Sequence, residues 1–210
     1  MNVRPSELPY SEFYRILIST VAPRPIGWIS SLSATGQPNL APFSFFNAIC
    51  GQPPLLIFSP GQRLRGEGEN LRGETKDTLR NVRETGEFVA NLVTYEVAEA
   101  MNLTSGEYDP SVNEFELAGL TPRPSNVVKP PCVAESPVNY ECKVREILDF
   151  PSPPRGCSLV IGEIVFMHVH ERHFKEGKLD ANSLDLVGRM GGMQYSRTRE
   201  RFEMARPKVK

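Results

Sequence analysis

The chain is poor in the residues from which most catalytic and metal centres are built. Its three histidines are crowded at His168, His170 and His173, and its four cysteines, Cys50, Cys132, Cys142 and Cys157, show neither a Cys-x-x-Cys pair nor the regular spacing of a zinc site. The cysteines therefore read as packing residues of a reducing compartment. No Gly-x-Gly-x-x-Gly follows a strand, and there is no Walker loop, Gly-x-Ser-x-Gly elbow or His-Glu-x-x-His, which removes P-loop chemistry and nucleophilic hydrolysis. Neither sign of charge dominates. Against 25 Asp and Glu stand 24 Lys and Arg, a net charge of -1, too little positive field to hold a nucleic-acid backbone. Long hydrophobic runs are missing too: the longest, Leu159 to Val169, is interrupted by Glu163 and His168, and Met1 to Phe13 carries Arg4, Glu7 and Glu12 where a secretory signal would be apolar. A soluble, cytoplasmic protein with no nucleic-acid or membrane partner is expected.

What is present describes a folded, β-dominated chain. Hydrophobic residues are 40% and charged residues 23% of the 210, enough for a full core, while 19 prolines and 16 glycines break helices repeatedly and favour short strands and turns. Arg15 to Ser19 reads as a short apolar-rich element ending before Pro23-Arg24-Pro25. Strands are expected at Ile26 to Ser33, Leu40 to Phe46, Leu55 to Ser59 and Glu87 to Val93, and longer ones at Val138 to Leu148 and Ser158 to Val169. Gly61 to Gly73, charged and glycine-rich, reads as a surface loop. Asp77 to Thr85 reads as a helix capped by Asp77 and stopped by Gly86, and Tyr95 to Leu103 as a second. The five prolines between Thr121 and Pro137 predict an extended crossover. These elements describe a closed or partly open barrel.

Two clusters carry possible chemistry. Lys76 and Thr78 flank the expected cap at Asp77, so an ammonium, a hydroxyl and free backbone N–H groups gather at the positive end of a helix dipole and could cradle a phosphate. An ordinary capped helix with an exposed lysine is the plain alternative. Trp28 and Ser30 share one face of their strand, and Ser44 and Asn47 lie on the strand paired with it, so hydroxyl and amide groups sit beside aromatic surface; a sole tryptophan more often packs in a core. A strand places His168 and His170 on one face, but no carboxylate or cysteine cluster lies nearby in sequence to make a metal site, and none is expected.

The motifs then run together. Pro23 to Ser30 (PRPIGWIS) resembles the opening signature of the flavin reductase-like family, an FMN-binding split β-barrel; Asn39 to Asn47 (NLAPFSFFN) resembles its next motif and Lys76-Asp77-Thr78 its third. Asn81, Gly86 to Val89, Glu135 to Pro137, Val187 to Gly192 and Tyr195 resemble later segments, in order. The resemblance implies a flavin-binding domain over 1–195 followed by a basic tail, 196–210, and a homodimer with flavin near its interface. It implies an oxidoreductase using NAD(P)H as electron donor, with a small molecule or a protein as acceptor and no obligatory protein acid or base. An FMN carrier without catalysis is the alternative. The FMN phosphate would meet Lys76 and Thr78, with Arg24 or Ser30 as further donors. The ribityl chain and ring would meet Trp28, Ser44, Asn47 and Ala48. Arg189, in the glycine-rich segment 188–192, would make an anionic contact to phosphate or nicotinamide cofactor, and Tyr195 is placed in the same cofactor-binding set.

Overall fold

A computed structural model describes residues 2–209. Seven antiparallel strands form the main sheet: β1 (Gly27–Leu32), β2 (Pro38–Phe43), β3 (Phe46–Gly51), β4 (Pro54–Phe58), β5 (Glu87–Leu92), β6 (Val138–Ser152) and β7 (Arg155–Val169). They lie in the order β2-β1-β5-β6-β7-β4-β3, and the sheet curls into a split barrel. The helices are few and short: α1 (Tyr10–Thr20), α2 (Asp77–Thr85), α3 (Ala98–Leu103) and α4 (Glu114–Leu117).

Alternation along β1 separates two cores. Ile29 points into the barrel, where it packs with Phe43, Phe58, Phe88 and Val160 and with Leu79 and Val82 of α2. Trp28 points the other way, into a second layer with Leu40, Met101, Phe115 and Val133. Because both faces are covered, β1 is buried almost end to end. Inside the barrel the Phe58 ring packs at a tilt against Phe43 and edge-on to Phe88, with ring centres 5.1 and 5.2 Å away. Each such side chain contributes about 1.5–3 kcal/mol through burial.

Several elements depart from the sequence reading. The expected strand Leu40 to Phe46 is two strands: β2 ends at Phe43, Ser44 and Phe45 turn a corner, and β3 begins at Phe46. The Ser59 amide donates to the Phe45 carbonyl at 2.8 Å and holds that corner against the end of β4. The segment 61–73 is more than a loop, since Arg63–Arg65 pairs with Arg72–Glu74. The hairpin of β6 and β7 runs from Val138↔Val169 to Ser152↔Arg155, well beyond the expected strand ends. Its outer part has no neighbour on the β6 side past Lys143, so Pro151 interrupts no further ladder. Helix α1 spans 11 residues rather than the short element expected at 15–19. Gly86 closes α2 at φ 70°, as the sequence predicts, but the cap position is Lys76. Asp77 is the first helical residue, and its carboxylate binds Arg63 at 2.9 Å and Arg80 instead of capping its own helix. The stretch 95–103 divides into a 3-10 turn, Tyr95–Val97, and α3. The strand Tyr195–Arg197 crosses the expected boundary at 195, and Arg197, Arg199 and Arg201 bind Asp185 and Asn182, so the free extension starts near 202.

Candidate functional site

The corner at Ser44-Phe45 opens a cleft of about 530 Å³. One wall is the face of α1 carrying Tyr10, Phe13, Tyr14 and Leu17, a spacing of i, i+3, i+4, i+7 that puts all four on one stripe. No residue of α1 is buried, so this apolar stripe faces the cleft rather than a core. The floor is Pro42, Phe43 and Phe45 with Leu64, and Ser44, Ser59 and Gln62 supply hydroxyl and amide groups. The segment 60–62 is fastened to the hairpin by Gln62 N–H to the Gly156 carbonyl at 3.3 Å and Ser158 N–H to the Pro60 carbonyl at 3.0 Å, which brings Arg155 and Cys157 to the rim.

Lys76 enters the cleft from the start of α2. Its ammonium lies 6.0 Å from the centre of the Phe43 ring, and among the described residues no carboxylate pairs with it. Burial pushes its pKa below the ordinary lysine value; Glu107 draws it back up, and the Arg63 guanidinium adds to the lowering. The first turn of α2 receives no side-chain cap, so its amide groups and dipole stay available beside this ammonium. Nearby, the Nε of Arg63 is buried without a partner. An unpaired cation in a cleft lined by no acidic residue fits a phosphate, while the first residues of α2, Asp77 and Thr78, line the small adjoining pocket together with Glu107 and Glu114; the aromatic floor beside Ser44, Ser59 and Gln62 fits a planar, polar-edged ring.

Of the residues singled out in the sequence, Ser44 and Lys76 meet in this cleft. Arg24 stands just behind them, its Nε 3.5 Å from the Ser44 hydroxyl. The rest of its guanidinium is used by carbonyls, Nη1 on Ile18 and Val21 at 2.6 Å each and Nη2 on Met190 at 3.1 Å. Arg24 is therefore a buried clasp between the end of α1 and the 188–192 segment. Thr78 is buried and accepts from Asn39 Nδ2 at 2.8 Å; it shares with Lys76 a small adjoining pocket, not the main cleft.

Trp28 and Ser30, which the sequence reading gave to a ligand, do not line the cleft. Both are fully buried in the second layer; the Trp28 Nε1–H donates to Thr104 Oγ1 at 2.8 Å and the Ser30 hydroxyl to the Pro131 carbonyl, so each polar group is already satisfied. Asn47 and Ala48 are exposed on β3, outside the cleft lining. Arg189 and Tyr195 face each other on a small sheet of 24–25, 187–189 and 195–197, with the guanidinium 4.5 Å from the ring centre. The sequence reading missed Tyr10, Phe13, Tyr14, Gln62 and Arg155. The helical stripe of α1 was a visible signal; Arg155 had none, since its place depends on hairpin length.

A split barrel with an acid-free, aromatic cleft at a helix start defines a class of small-molecule-binding β-barrel proteins. Comparison makes the class specific. The family described as Flavin reductase like domain matches residues 19–188, and the chain belongs to that family. Over 97% of the chain and 98% of the other, the fold matches nitrilotriacetate monooxygenase component B from Bacillus cereus with 32% identity and a TM-score of 0.89. It matches 2-nitrobenzoate 2-nitroreductase from Pseudomonas fluorescens with 31% identity and a TM-score of 0.86 over 99% and 96% of the two chains. A putative flavin reductase with a split barrel domain from Shewanella frigidimarina shares the fold at 24% identity, TM-score 0.79, over 99% and 100%. Among the described residues no helix is long and apolar enough to cross a membrane.

Proposed function

We propose that the protein is a flavin-dependent oxidoreductase that holds FMN in the cleft between α1, the Ser44-Phe45 corner and Lys76, and takes its electrons from NADH or NADPH. The observation that carries this reading is the half-buried, unpaired Lys76 at the uncapped start of α2, in a cleft lined by no acidic residue. Family membership and the likeness to component B of a monooxygenase and to a nitroreductase support oxidoreductase chemistry.

Bound FMN would supply a ring that accepts hydride. The residues of this chain bind and orient: Lys76 holds the phosphate, Ser44, Ser59 and Gln62 offer groups to the ribityl chain and ring edge, and Phe43 and Phe45 give an apolar floor. The α1 wall excludes water from one side. No histidine lines the cleft, which supports a reaction without an obligatory imidazole proton donor. Cytoplasmic location and an acceptor that is a small molecule or a partner protein belong to the same reading.

Two copies are proposed to pair, supported by the exposed apolar side chains of the long hairpin, Leu148, Phe150, Phe166 and Met167. Light scattering on flavin-loaded protein at micromolar concentration should give twice the chain mass.

The deciding experiment titrates apoprotein with riboflavin, FMN and FAD, then adds NADH and NADPH anaerobically to the FMN complex. FMN binding tighter than riboflavin, followed by bleaching of the flavin spectrum, is expected. Equal affinity for riboflavin and FMN overturns the phosphate assignment; an FMN complex that neither nicotinamide reduces points to the electron-carrier role.

A further inference from the structure

The cleft holds a second cation that one FMN phosphate does not account for. Arg155 sits at the start of β7, on the turn of the long hairpin, whereas Lys76 belongs to α2. Its guanidinium carbon lies over the Tyr10 ring, 4.0 Å from the ring centre, and Tyr10 in turn stacks on Tyr14, 5.6 Å away with planes 14° apart. Other arginines in and behind this region are engaged: Arg24 by three carbonyls, Arg63 and Arg80 by Asp77, and Arg83 by Asp149. Arg155, among the described residues, has neither a carboxylate nor a carbonyl partner. A contact with an aromatic ring uses no N–H group, so those of Arg155 remain free to form the planar fork that matches a carboxylate or phosphate. Around it the α1 stripe of Tyr10, Phe13 and Tyr14 offers surface for a second flat ring.

We propose that Arg155, positioned by Tyr10, is the specificity-determining anion contact for the second substrate, a planar aromatic molecule bearing a negative group. The inference rests on the FMN reading above and extends it to the molecule that exchanges electrons with the flavin. Two sources share this chemistry: the pyrophosphate of a nicotinamide dinucleotide and the carboxylate of an aromatic acid.

The test is calorimetric and does not depend on turnover. FMN affinity is measured first, for wild type, Arg155→Ala and Arg155→Lys. The FMN-loaded proteins are then titrated with two anionic probes, NAD+ and benzoate, and with their neutral counterparts, nicotinamide and benzamide. Unchanged FMN affinity is expected, with a loss of about tenfold to a hundredfold for one anionic probe in Arg155→Ala, partial recovery in Arg155→Lys, and no change for the neutral probes. The anion that loses affinity identifies the source. Equal losses for anionic and neutral probes, an unaltered anion affinity, or wild type that binds neither anion overturn the proposal. Weaker FMN binding in Arg155→Ala also overturns it, by moving Arg155 into the flavin site. Wild type that binds no FMN at all fails at the first titration and sinks the parent reading.

Discussion

The Glu141 carboxylate and the His168 imidazole meet 2.6 Å apart inside the protein, joining neighbouring strands β6 and β7. Glu141 is fully buried and also accepts the backbone amides of Asn126, Val127 and Val128 at 2.7, 2.6 and 3.1 Å. On the far side of the ring, Arg123 reaches His168 Nδ1 at 3.2 Å and Asn139 Oδ1 at 2.8 Å. With Cys132 these ligand-type atoms lie within 4.8 Å of one another, yet both ring nitrogens already have partners. The cluster is a polar rivet fixing the proline-rich loop 121–133, which doubles back so that Pro122–Arg123 pairs with Cys132–Val133, to the barrel.

Breaking the rivet should cost stability. Replacing Glu141 by Ala leaves three amides and the imidazole without their acceptor, and a loss of about 3–5 kcal/mol is expected in denaturant unfolding. Burial by itself would raise the Glu141 pKa, but the amide donors and His168 outweigh it and hold the carboxyl below the ordinary glutamate value. A depressed folded-state pKa contributes stability at neutral pH that is lost as pH falls below about 4.3 toward the folded value. The acid limb of the stability curve should therefore flatten in Glu141→Ala, and an unchanged limb would assign acid sensitivity elsewhere.

Lys76→Ala should separate phosphate from ring. Losing a charge-assisted contact weakens FMN binding by about 1.5–3 kcal/mol, roughly ten- to a hundredfold, while riboflavin binding stays nearly constant. Fluorescence titration of both ligands checks this, and parallel losses would mean that Lys76 shapes the pocket instead.

The same lysine sets a pH dependence. Because its pKa in the free protein is lowered by burial, the ammonium is lost at a pH below the ordinary value of about 10.4. The ratio of FMN to riboflavin affinity should fall with rising pH in that interval, before unperturbed lysines titrate. In Lys76→Arg the ratio should stay flat over the same range.

Arg24→Ala should release α1. The three carbonyls that Arg24 gathers, on Ile18, Val21 and Met190, lose a charged donor, at a cost of about 1.5–3 kcal/mol. Hydrogen exchange should quicken over 10–20 and 188–192 while β1 stays protected. Arg24→Lys should rescue little, since one ammonium cannot reproduce the fork.

Wherever a feature depended on neighbours in the chain, the sequence alone determined it. The end of α2 at Gly86, the strands around Ile29 and Val89 and the ordered family motifs follow from backbone preference and periodicity, whereas the proline-rich stretch expected to be an extended crossover doubles back, Pro122–Arg123 pairing antiparallel with Cys132–Val133. The place of Lys76 at the start of α2 was legible because a lysine beside a helix start is a local arrangement. Tertiary structure decided the rest. Trp28 and Ile29 look alike as strand residues, and only the packing of α2 on one side of β1 and of α3 and α4 on the other assigns Ile29 to the barrel and Trp28 to the outer layer. Asp77 looks like a cap, but Arg63, from a segment that reads as loop, draws its carboxylate away. Arg155 reaches Tyr10, 145 positions earlier, because a hairpin of two 15-residue strands carries it there. Dihedral preference acts over a few residues, whereas the choice of which face is covered, and which side chain reaches a cleft, is made by burial between distant segments.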